Sequence, residues 1–104
     1  MRVLQFNEKH NVIYGEMEPV VGHRLEAVVL HDGLKRFEEG DPIITSPVES
    51  ISGSSETGCL TVNTRNTTYA FIPKALYVEG TTAVKLLTTA EVKEKQRQDL
   101  VLGN

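Results

Sequence analysis

Apolar positions recur along most of the chain in short runs, broken by turn residues at intervals of roughly 8–12 positions. That is the spacing of successive β-strands, not of helices. Val3–Phe6 and Val12–Met17 flank the polar stretch Asn7-Glu8-Lys9-His10-Asn11 and are expected to form a hairpin, with Pro19 and Gly22 ending its second strand. Leu25–Leu30 puts Leu25, Ala27 and Val29 on one face and Val28 and Leu30 on the other. A strand apolar on both faces is expected to be central or covered on its second side. Asp32-Gly33 turns the chain, and Glu38-Glu39-Gly40-Asp41-Pro42 turns it again after Phe37. Ile43–Ser46 and Val48–Ile51 read as one strand interrupted by Pro47, which donates no ladder hydrogen bond and so belongs at a sheet edge or a bulge. Ser52–Gly58 is a loop by composition.

Cys59–Thr64 and Thr67–Ile72 form the strongest hairpin signal, with Leu60 and Val62 alternating with Thr61 and Asn63, and Tyr69 and Phe71 with Thr68 and Ala70. Arg65-Asn66 sits between them. Asn tolerates the positive φ of a tight hairpin turn and Arg does so less readily, which leaves the turn type open. Ala75–Val78 and Thr82–Leu87 are expected to make a last pair around Glu79-Gly80. At Thr88 the pattern changes. Thr88-Thr89-Ala90-Glu91 matches a capping box, and good helix formers follow, with Glu91 and Lys95 as a favourable i,i+4 pair. The expectation is a single domain over residues 1–104: a mainly β fold, a small antiparallel sheet or partly open barrel over 1–87, then one C-terminal α-helix over 88–102. The apolar stripe of that helix is thin, only Val92 and then Leu100-Val101-Leu102. It is therefore expected either to fray in solvent or to dock its apolar end on a partner, most economically an identical subunit, giving a homo-oligomer assembled through the C-terminal helix.

Composition narrows the function classes. Hydrophobic residues make up 39% of the 104 positions, aromatics only 6%, and Trp is absent, so the core is built from Val, Leu and Ile. The net charge of −3 argues against general nucleic-acid binding, which needs a basic surplus to neutralise phosphates, yet leaves room for a local basic pocket holding one small anion. A single cysteine, Cys59, fits a reducing compartment. The absence of a long apolar run or of an apolar leader at Met1–Glu8 adds the expectation of a cytoplasmic protein with no membrane contact.

Catalytic signatures are weak. His10, His23 and His31 lie in three separate turn regions with no metal-ligand spacing, so no metal, cofactor or catalytic set is expected. No nucleophile elbow frames Cys59 or Ser46, Glu38-Glu39 reads as a solvated turn, and no phosphate-binding glycine motif is present. One cluster stands out. Thr64-Arg65-Asn66-Thr67-Thr68-Tyr69 gathers a guanidinium, a carboxamide, hydroxyls and a phenol on one hairpin tip. Arg suits bidentate phosphate contact, Asn can donate to and accept from a base edge at once, and Tyr offers a stacking face. Lys93 and Arg97, four apart on one helix face, form a second basic element, with Arg24 and Arg36 as further candidates on weaker grounds.

Gly22-His23-Arg24-Leu25-Glu26-Ala27-Val28-Val29, Arg36-Phe37-Glu38-Glu39-Gly40-Asp41, Ile43-Ile44-Thr45-Ser46-Pro47-Val48-Glu49-Ser50-Ile51 and the Thr64–Tyr69 cluster together resemble small phage and prophage proteins. Among these the layout is similar to the Thoeris anti-defence sponge family. The resemblance implies an antiparallel sheet with a C-terminal helix, oligomeric assembly, and sequestration of a cyclic ADP-ribose-type signal without cleavage. It implies Arg65, Asn66 and Tyr69 as pocket residues, with Lys93 and Arg97 reaching phosphate across a subunit boundary. The expected partner is thus a small anionic ligand such as a cyclic nucleotide. The competing expectation is a protein–protein interaction module, for example an inhibitor of a host protein, using Glu38, Glu39, Asp41 and the edge near Pro47.

Overall fold

The computed structural model describes residues 2–53, 58–77, 80–88, 90 and 91. Eight strands run in chain order: β1 (Arg2–Asn7), β2 (Asn11–Gly15), β3 (Glu26–Asp32), β4 (Pro42–Ile44), β5 (Val48–Gly53), β6 (Leu60–Thr64), β7 (Thr68–Pro73) and β8 (Thr82–Leu87). Six of them form one sheet in the order β4-β3-β2-β7-β6-β5, and β1 and β8 form a separate two-stranded ribbon. The fold is mainly β and rich in antiparallel pairs, but β2–β7 and β1–β8 are parallel.

The large sheet cannot be flat. Its edge strands β4 and β5 are joined by Thr45, Ser46 and Pro47 alone. Five spacings of about 4.8 Å would put the edges of a flat sheet roughly 24 Å apart. Four Cα steps of about 3.8 Å reach roughly 15 Å at most. The sheet therefore curls until its edges approach, and backbone bonds hold the seam. Thr45 N–H donates to Leu25 O (2.9 Å), Val48 N–H to His23 O (2.9 Å) and Gly22 N–H to Val48 O (2.8 Å). What the sequence presents as one strand broken at Pro47 is two strands on opposite edges, with the proline at the crossing between them.

Curling gives the sheet an inside. Ile13, Ala27, Val29, Ile43, Val48, Val62, Tyr69 and Phe71, drawn from all six strands, pack with Leu25 into one core. The opposite faces of the middle strands carry Val12 and Ile72, which the β1–β8 ribbon covers with Leu4, Phe6 and Val84. β2 and β7 are thus buried on both sides, and Val12, Ile13, Phe71 and Ile72 are at most 1% exposed. Leu30 joins the outer layer while Ala27 and Val29 join the inner one, as the two-faced pattern of that strand requires. Tyr14 and Tyr77 pack with ring centroids 4.7 Å apart in the outer layer, where Cys59 also lies.

Two further sequence expectations change, and a third lies beyond the described residues. Val3–Phe6 and Val12–Met17 do not pair. The turn at Asn7–His10 is a corner, and β1 instead takes β8 as a parallel neighbour, Val3 opposite Ala83 and Phe6 opposite Leu86. Ala75 and Leu76 lie in a turn held by Leu76 N–H and Tyr77 N–H to Pro73 O, not in a strand. The expected helix 88–102 falls almost wholly outside the described residues. What is described is its start, with Glu91 N–H donating to Thr88 Oγ1 at 3.1 Å as an N-cap does.

Gly33 marks the tightest approach of the corner to the sheet. A β-carbon there would run into the Lys9 backbone carbonyl. Gly33→Ala is expected to destabilise the fold by about 2–3 kcal/mol, the cost of overpacking against backbone, read by chemical denaturation. Phe71→Ala at the centre of the inner core is expected to cost about 3–5 kcal/mol in the same assay.

Candidate functional site

The polar chemistry concentrates where the β3–β4 connection, the β1–β2 corner and the tip of the β6–β7 hairpin meet. Asp32 ends β3 buried, with a side chain only 2% exposed. Its carboxylate accepts the backbone N–H groups of Leu34 (3.4 Å), Arg36 (2.6 Å) and Phe37 (3.1 Å), and the Nε (3.2 Å) and Nη2 (3.3 Å) of the Arg36 guanidinium. One carboxylate therefore folds the next five residues around itself. Lys35 takes the left-handed conformation (φ 57°) as the chain wraps. Burial pushes the Asp32 carboxyl upward, but the hydrogen bonds and charge of Arg36, with the Leu34 N–H, outweigh it and hold it below the usual carboxylate range. Arg36 is raised, first by its bond to Asp32.

Arg36 links this loop to the hairpin. Its Nη1 donates to Thr67 Oγ1 at 3.1 Å, and the Tyr69 hydroxyl lies near enough to add to the field that raises it. Asn11, buried at the start of β2, donates through Nδ2 to Thr68 O (3.2 Å) and accepts Gly33 N–H at Oδ1 (3.0 Å). The hairpin tip is closed by Thr64, whose Oγ1 accepts Thr67 N–H (3.1 Å) and donates to Thr67 O (2.7 Å). Neither Arg65 nor Asn66 has a positive φ, so the turn needs none of the left-handed conformation that Asn tolerates.

Beside this network lies a hollow of about 410 Å³, lined chiefly by Lys9, His10, Leu34, Asn66, Thr67 and Thr68. His10 Nδ1 accepts the Asn7 N–H (3.3 Å), which leaves Nε2 as the donor of the neutral ring. The hollow therefore offers an ammonium, an imidazole N–H and a carboxamide. Groups of these types are able to pair with an anion and with a hydrogen-bonding edge.

The sequence candidates divide. Asn66 lines the hollow. Tyr69 borders it too, but is 6% exposed and packs in the inner core, so its ring presents no face for stacking. Arg65 is exposed and does not line the hollow. Its N–H ties the hairpin to Pro47 O at 3.2 Å. Lys93 and Arg97 lie outside the described residues. The sequence pointed to neither Lys9 nor His10 as ligand groups, nor to Asp32 as an anchor. The one local signal was Asp32 with Arg36 four residues on, astride Gly33. No group of three or more His, Cys, Asp or Glu side chains converges among the described residues. No helix among them is long and apolar enough to cross a membrane.

Comparison with known proteins returns no significant match to any family model, any curated protein sequence or any solved structure.

Asp32 contributes stability that is complete above the ordinary carboxyl value of about 4 and is lost as pH falls through its depressed native value. Arg36→Ala removes two of its five bonds and its counter-charge, so the acid-unfolding midpoint is expected to move to higher pH, with a loss of about 2–3 kcal/mol at neutral pH. Denaturation followed from pH 7 to pH 2 reads both effects. An unchanged acid limb in the variant overturns the assignment.

Proposed function

We propose that the protein is a non-enzymatic binding protein that captures a small anionic ligand, such as a cyclic nucleotide signal, in the hollow beside the β6–β7 hairpin. The observation that carries this reading is the hollow itself, where Lys9, His10 and Asn66 meet in about 410 Å³, within the size range of small-molecule sites. Support also comes from the rigid wall behind it. Thr67 and Thr68 are pinned by Arg36 and Asn11, so a ligand meets groups already in position. Lys9 supplies the charge for a phosphate, and Asn66 the paired donor and acceptor for a base edge. A role as a phage anti-defence sponge in the cytoplasm is the biological form of this reading. It rests on the sequence resemblance, as does assembly into a homo-oligomer through the C-terminal segment, with Lys93 and Arg97 approaching from a neighbouring subunit.

A second reading, a protein interaction module acting on a host protein, draws on Leu34 and Phe37, which are 60% and 39% exposed beside the acidic Glu38 and Glu39. Calorimetric titration with cyclic nucleotides and cyclic ADP-ribose isomers separates the two. Capture predicts a measurable heat with one of them, and affinity about tenfold weaker for Lys9→Ala and for Asn66→Ala, the loss of roughly one hydrogen bond each. Unaltered ligand recovered after binding is expected of a sponge. Absence of heat with every ligand on folded protein sinks the capture reading.

A further inference from the structure

Thr67 stands on the wall of the hollow, half-buried at the tip of the β6–β7 hairpin. Thr64 holds its backbone on both sides of the peptide. Thr67 N–H donates to Thr64 Oγ1 (3.1 Å), and Thr67 O accepts Thr64 N–H (2.9 Å) and the Thr64 hydroxyl (2.7 Å). The next residue is tied down as well. Thr68 O accepts Asn11 Nδ2 at 3.2 Å, and Thr68 Oγ1 donates to Asn63 Oδ1 at 2.8 Å. A β-branched side chain on a backbone held in this way has few χ1 rotamers open to it. The place of the Thr67 hydroxyl is therefore set before any ligand arrives.

Arg36 then sets the direction of the hydroxyl proton. Its Nη1 donates to Thr67 Oγ1 at 3.1 Å and occupies one lone pair of that oxygen. A guanidinium only donates, so the Thr67 O–H gives nothing back to it and turns its proton elsewhere. The pull of the guanidinium on the oxygen also makes the hydroxyl a stronger donor. Arg36 itself does not line the hollow. Its Nε and Nη2 are bound to Asp32, whose charge offsets its own. The buried carboxylate and its guanidinium thus reach the hollow by way of the Thr67 oxygen. The corner supplies donors too, for Lys9 Nζ carries protons and no lone pair, and His10 Nε2 carries the proton of the neutral ring.

We infer that the Thr67 hydroxyl is a ligand-binding group that donates to an anionic oxygen of the captured molecule, and that Arg36, held by Asp32, is the positioning residue that aims it. The inference rests on the capture reading above and adds to Lys9 and Asn66 a donor from the rigid wall. A donor already oriented loses little freedom on binding, which favours an acceptor oxygen of the ligand at this one place.

Calorimetric titration of the full chain with cyclic AMP and with cyclic ADP-ribose tests this at neutral pH, with urea denaturation showing each variant folded under the same conditions. Thr67→Val keeps the branched shape and the backbone bonds and removes the donor. It is expected to weaken binding about tenfold, whereas Thr67→Ser stays within about twofold of the parent. Arg36→Met is expected to weaken binding about threefold in the parent and to add no further loss in the Thr67→Val chain, since a residue that acts through another is non-additive with it. No heat with either probe from the folded parent overturns the capture reading and this inference together. Binding that falls with Lys9→Ala and Asn66→Ala but is unchanged by Thr67→Val overturns this inference alone. Thr67→Ser as weak as Thr67→Val overturns the hydroxyl as donor. Independent, additive losses for Arg36→Met and Thr67→Val overturn the positioning role of Arg36.

Discussion

The three residues between β4 and β5 govern the rest of the architecture. Thr45, Ser46 and Pro47 must carry the chain from one edge of a six-stranded sheet to the other, and no flat sheet permits so short a path. Rolling brings six inward faces around one set of aliphatic side chains, and so a chain with no Trp and few aromatics buries a continuous core. The buried Thr45 secures the seam through its hydroxyl, which accepts Leu25 N–H at 3.0 Å and donates to Ser46 O at 2.7 Å. Pro47 fits because its carbonyl, the only backbone group it offers a partner, takes the Arg65 N–H of the neighbouring hairpin.

Once the sheet is rolled, its outer surface becomes the question. The parallel β1–β8 ribbon answers it for β2 and β7, and for β3 only at Leu30. The two regions left open have different chemistry. Over β4 and the rest of β3 the strands keep apolar residues facing out, with acidic residues along the margin. At the hollow the corner and the hairpin tip present polar groups and one ammonium.

Asp32 connects the fold to the hollow. A buried carboxylate without partners is costly, and here it gains five donors by wrapping the following residues about itself. Because one of those residues is Arg36, the same carboxylate aims a guanidinium at Thr67 and so ties down the hairpin tip. The order of the hairpin wall beside the hollow thus derives from a carboxylate buried behind it.

Much of this could be read from the residues alone, and the boundary has a physical cause. Period-two alternation marks which face of a strand is apolar, so the β6–β7 hairpin, the apolar character of both faces of β3 and the break at Pro47 were all legible. Alternation says nothing about which strand lies alongside. The parallel union of Val3–Phe6 with Ala83–Leu86 joins segments about 80 residues apart, and their local patterns instead suggested nearby hairpins. At the candidate site, the chemistry of Asn66 was visible because it is local to the turn. The meeting of Lys9 and His10 with that turn was not, since it is created by the parallel β2–β7 pairing. Tyr69 shows the reverse case. Its residue type suggested a stacking surface, but an alternating strand in a rolled sheet sends every second side chain inward, and only the closed fold decided that this ring belongs to the core.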